Sequence, residues 1–108
     1  MPKLSVSDGE VLLDRAVNSL SKAQREKLIE GYDLKLFAKV FEDRDMMGTL
    51  FCFFSENLNV SETARKLYMH RNTLIYRLNK IKRTTGLDVR NFYEAETFRI
   101  LHTLYILK

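Results

Sequence analysis

The 108-residue chain has one cysteine, one proline and no tryptophan. With Cys52 alone, no disulfide framework can staple the fold. Its place inside the apolar run "LFCFF" reads as buried packing, which suits a reducing cytoplasm. The one proline is Pro2, so nothing beyond it forces a break in a helix. No apolar run approaches the roughly 20 residues of a membrane span, and "MPKLSVSDGE" has no apolar core of a secretion signal. There is no internal repeat and no low-complexity segment. The materials of catalysis are missing too. No Ser/His/Asp set, carboxylate pair or glycine-rich phosphate loop is placed by spacing, and neither His70 nor His102 has a companion at ligand spacing. The expectation is a cytoplasmic protein with no membrane segment, no catalytic residues, no metal and no cofactor.

What is present is ordinary for a soluble domain, 45% apolar and 30% charged, and it reads as helix throughout. "SDGE" (Ser7 to Glu10) and "SKAQ" (Ser21 to Gln24) are capping boxes. Gly31 suits a left-handed residue after the second helix. Asp33 caps a segment whose Leu34, Phe37, Ala38 and Phe41 share a face. "EDRD" (Glu42 to Asp45) is a solvated turn and cap rather than a metal site, ahead of a buried helix from Met46 to Leu58. Asn59 ends that helix and Ser61 caps the next. Gly86 closes a long basic helix, and Asn91 with Glu94 starts the last one. The expected fold is all-α, about seven short helices around one core. Residues 1–45 form a helical segment that packs on the core or makes a dimer interface, and residues 46–108 form the functional module.

Charge is unevenly placed. Val60 to Arg90 holds eight lysines and arginines against two acids, Glu62 and Asp88; the remainder holds ten against twelve. All the excess positive charge thus lies in under a third of the chain, which points to an anionic partner such as nucleic acid or a membrane surface.

Within this stretch, a helix from Ser61 to Tyr68 places Ala64 and Leu67 inward. A second, from about 71 to 84, carries Leu74, Leu78 and Ile81 within about 60° of one another at 3.6 residues per turn. Opposite that stripe lie Asn72, Thr73, Tyr76, Lys80 and Arg83, with no acid among them. Two short helices, a tight turn plugged by Met69 and an alanine at the crossing make a helix-turn-helix. The first turn of its second helix offers Arg71, Asn72 and Thr73 to base edges, with Tyr76 one turn on; Ser61, Thr63, Arg77, Lys80 and Arg83 are placed for phosphates. Each has a plainer alternative. Arg71 can pair with Glu62, Asn72 can be an ordinary first-turn residue, and Tyr76 and Tyr68 can cover the edge of the core. His70 reads as a cap or backbone partner.

The residues "NVSETARKLYMHRNTLIYRLNKIKRTTGLDVRN" resemble the C-terminal helix-turn-helix of the purine-catabolism and sugar-diacid regulators (PucR/CdaR type). They follow the pattern N-x-S-x-T-A-x-x-L-x-x-H-R-N-T-L-x-Y-R-L-x-x-I-x-x-x-T-G-L-D without a gap, from Asn59 to Asp88. The spacing is also similar to that of the nucleoid protein Fis. The resemblance, extended over about Met46 to Leu107, implies a bacterial transcription regulator that binds double-stranded DNA as a homodimer. Ile75 departs from it, standing where such proteins often carry another basic residue. Regulators of this kind are also much longer, so the chain is either a stand-alone DNA-binding protein, the reading its initial Met favours, or a fragment. The final helix, apolar on more than one side, can be absorbed by the core or covered by a second subunit. A protein–protein adaptor that keeps this fold without reading DNA is the alternative function, and an enzyme a third. No effector can be named.

Overall fold

The computed structural model describes the backbone of residues 6–107 and the side chains of residues 12–107. Among these residues there are seven helices and no strand: α1 (Val6–Asn18), α2 (Lys22–Leu28), α3 (Leu34–Phe41), α4 (Arg44–Ser55), α5 (Val60–Lys66), α6 (Arg71–Thr85) and α7 (Phe92–Ile106). They fall into two compact units. One holds the residues through Tyr32 together with those from Arg99 on, and the other runs from Asp33 to Phe98. The boundaries of these units fall at 32/33 and 98/99. The reason is α3, which buries Phe37, Val40 and Phe41 and packs on α4 and α6.

The helices begin where short polar side chains meet otherwise unbonded amides. Ser21 and Gln24 form the reciprocal capping box ahead of α2, Asp33 accepts from the Lys35 amide, and Asp43 from "EDRD" accepts from the Met46 amide. The box expected at Ser7 to Glu10 lies outside the described side chains. Ser61 is not the cap of α5. Asn59, in an extended conformation, accepts from the Glu62 amide at 2.9 Å, and Ser61 lies inside the first turn. Asn91 accepts from the amides of Tyr93 and Glu94, yet the Glu94 carboxylate reaches the Asp88 amide instead of completing a box.

Helix α4 ends earlier than Asn59 because its last turn closes in a Schellman motif, with the Asn57 amide donating to the Phe54 carbonyl and the Leu58 amide to that of Phe53. The end of α5 repeats the motif. Tyr68 donates to the Arg65 carbonyl and Met69 to that of Ala64, which turns the chain sharply toward α6. Tyr68 therefore sits at φ 51 and is almost fully exposed. A left-handed tyrosine carries a steric penalty that glycine does not.

The unit from Asp33 to Phe98 has a continuous core. Leu50 and Phe53 of α4, Leu74, Leu78 and Ile81 of α6, Val89, and Phe98 of α7 are all without exposed surface. Phe98 joins an aromatic cluster, its ring centroid 5.2 Å from Phe41 and 6.3 Å from Phe37 and Phe54. Each fully buried side chain of this size contributes about 1.5–3 kcal/mol of transfer free energy. Leu101, Leu104 and Val17 are buried in the other unit. There His102 is half-buried, and burial pushes its imidazole below the usual histidine range, against the opposing charge of Asp14.

Two outcomes follow from these placements. Tyr68→Gly relieves the left-handed strain and raises stability by about 0.5–1 kcal/mol in thermal melts, whereas Tyr68→Ala, which keeps a Cβ there, brings no such gain. For His102, the lowered folded-state value means that the unfolded chain binds the proton more readily. Its contribution to stability is therefore intact above the ordinary value of 6.5 and declines as pH falls below it. Denaturant titrations across pH 5 to 8 check this, and His102→Gln flattens that part of the profile.

Candidate nucleic-acid interface

Helices α4, α5 and α6 pack in sequence. Ala64, buried in α5, has only a methyl group and does not hold α6 away, and half-buried Met69 fills the turn. His70 then sets the start of α6. Its Nδ1 accepts from the Asn72 amide at 3.1 Å, which requires that nitrogen to be unprotonated. Gly86, at φ 82, stops α6 at the other end.

With Leu74, Leu78 and Ile81 turned inward, Arg71, Asn72, Thr73, Tyr76, Lys80 and Arg83 are all exposed along one helix that contains no acid. Glu62 does not take Arg71. It pairs with Arg65 at 2.7 Å, and that guanidinium holds the Glu62 carboxyl below its usual value. The Arg83 guanidinium lies 5.9 Å from the centre of the Tyr76 ring, a cation–π arrangement that steadies both side chains. Ser61 is exposed on the first turn of α5.

Two of the expected phosphate contacts stand differently. Thr63 has no exposed surface, and its hydroxyl donates to the Asn59 carbonyl at 2.7 Å, so it is out of reach of a phosphate. With Ala64 it forms the buried side of α5. Arg77 is half-buried at the edge of the core, and its Nη1 donates to Thr49 Oγ1 of α4 at 2.7 Å.

The basic stretch is also less uniformly available than its composition suggests. Lys66 pairs with Glu56 at 2.7 Å. Arg90 grips both oxygens of Asp88, at 2.8 and 3.2 Å, and donates to the Asn79 side chain at 2.9 Å, tying the segment after α6 to α6 itself. Lys82 is 4.0 Å from the same carboxylate. Hydrogen bonding from Arg90 holds Asp88 below the ordinary carboxylate range. Among the described residues no acid pairs with Arg71, Lys80 or Arg83. Thr49 and Asn79 are participants that sequence reading missed. The only signal at Thr49 is a hydroxyl inside an apolar run, and nothing local ties it to a residue 28 positions on.

The sequence profile of the PucR C-terminal helix-turn-helix domain matches residues 46–101. The chain is 39% identical over 56 residues to the purine catabolism regulatory protein of Bacillus subtilis (strain 168), covering 52% of this chain and 10% of that one. It is 50% identical over 44 residues to the carbohydrate diacid regulator of Escherichia coli (strain K12), covering 41% and 11%. Similarity to the YsfB protein of Bacillus subtilis, at 29% identity, extends over 102 residues, 89% of this chain and 27% of that protein. The chain thus spans about a quarter or less of the length of these relatives.

The cap at His70 can be checked directly. His70→Ala leaves the Asn72 amide without its partner and lowers stability by about 0.5–2 kcal/mol in chemical denaturation, while His70→Asn, whose side-chain oxygen can accept the same bond, keeps most of it.

Proposed function

The chain belongs to the family of PucR C-terminal helix-turn-helix domains, and from that premise we propose that it is the DNA-binding module of a transcriptional regulator. Helix α6 enters the major groove. Arg71, Asn72 and Thr73, at its N-terminal turn, and Tyr76 meet base edges, where arginine can bond guanine at two points and asparagine can do the same with adenine. Lys80, Arg83, Arg77 and, from α5, Ser61 meet phosphates. One observation carries this reading: an acid-free helix that buries Leu74, Leu78 and Ile81 and exposes Arg71, Asn72, Thr73, Tyr76, Lys80 and Arg83 together. The similarity to two proteins named as regulators supports it. A single recognition helix reads few base pairs, so the working form is a homodimer on two half-sites in the bacterial cytoplasm.

The test is duplex binding as a function of salt. Affinity should fall steeply as salt rises. Arg71→Ala should cost about 1–3 kcal/mol at the preferred site and relax base preference there. Lys80→Ala should weaken all sequences alike and reduce the salt slope by about 0.9. A protein that ignores duplex DNA at low salt but holds an acidic protein partner is an adaptor instead.

A further inference from the structure

We propose that Thr49 of α4 is a positioning residue for DNA binding: it holds the Arg77 guanidinium at the flank of α6 so that the remaining N–H groups face a DNA phosphate. The proposal rests on the reading of α6 as the DNA-contacting helix and adds to it a residue outside the helix-turn-helix.

The geometry is specific about which groups are used. Thr49 is 3% exposed, and its own hydroxyl proton is committed to the Asp45 carbonyl at 2.9 Å. The oxygen can therefore only accept at its other side, and Arg77 Nη1 supplies that bond at 2.7 Å. A guanidinium carries five donors in a rigid planar fork, and Thr49 takes one of them. Nothing in this arrangement cancels the charge, because among the described residues no carboxylate pairs with Arg77.

Arg90, in the segment after α6, shows the opposite arrangement. Asp88 and Asn79 hold its guanidinium through three hydrogen bonds, and its charge is neutralised on the spot. Arg77 is instead a half-buried cation anchored by a neutral oxygen, an arrangement that fixes direction and preserves charge. Partly desolvated charge without a counter-ion is costly, and an arriving anion removes that cost. Placement agrees. Arg77 lies about 60° around α6 from Lys80, on the same flank, and phosphates line the flanks of a helix lying in the major groove.

The experiment measures affinity for a mixed-sequence DNA duplex across a salt series, with a double-mutant cycle on Thr49→Val and Arg77→Met. Arg77→Met is expected to lower the salt slope by about 0.9, the release of one phosphate contact. Thr49→Val, which keeps shape but loses the hydroxyl, is expected to weaken binding about 3–10-fold, the cost of ordering a free arginine side chain on binding. In the Arg77→Met background it should do nothing further. Thr49→Ser restores wild-type affinity. If the slope is unchanged in Arg77→Met, or if Thr49→Val weakens binding equally in both backgrounds, the bond is an internal strut and the proposal fails while the DNA reading stands. Thermal melts identify any variant that loses binding by unfolding, and Arg77→Gln, which keeps a donor for Thr49 but carries no charge, then decides: a folded Arg77→Gln that loses neither affinity nor slope also overturns the proposal. If the wild-type protein shows no salt-dependent duplex binding, the DNA reading itself fails.

Discussion

Burial of Leu74, Leu78 and Ile81 along one line of α6 is the constraint on which the other features of the site depend. A helix has one orientation that hides these three, and choosing it determines where every other side chain of α6 points. The same rotation turns Asn72, Tyr76 and Arg83 outward and leaves Arg77 at the boundary, half in and half out. The receiving surface comes from α3 and α5. Leu50, Phe53 and the aromatic cluster around Phe98 are part of the same apolar core.

Electrostatics then sorts the cations of this region into two groups. Arg65, Lys66 and Arg90 are held by Glu62, Glu56 and Asp88, and they brace helix ends and the segment after α6. Exposed pairs of this kind add little stability, but they remove those charges from the set presented to a partner. Arg71, Lys80 and Arg83 are left with their charge outward. A count of basic residues treats all of these as equal, and the tertiary contacts do not.

The turns that carry this arrangement are built without much glycine. Asn57, Leu58 and Tyr68 all adopt left-handed conformations at the ends of α4 and α5, where bonds of the Schellman type consume the last carbonyls. Such positions persist because the surrounding packing over-determines them. Met69, half-buried directly after Tyr68, shows how: the strained residue is exposed while its neighbour turns inward.

Much of this was legible in the residues alone. The period of Leu74, Leu78 and Ile81 determined the inner side of α6, Gly86 its end, and His70 its beginning, because these depend on interactions within a few positions of the chain. Local patterns also placed Arg71, Asn72, Thr73 and Tyr76 on a common exposed face. Only the tertiary structure decided that Thr63 is buried, that Glu62 takes Arg65 rather than Arg71, and that Arg77 bonds to Thr49. It alone joined α3 to the helices that follow. Each of these depends on which surfaces meet across many residues of separation, or on a choice between equally near partners, and neither is written in the spacing of side chains along one helix.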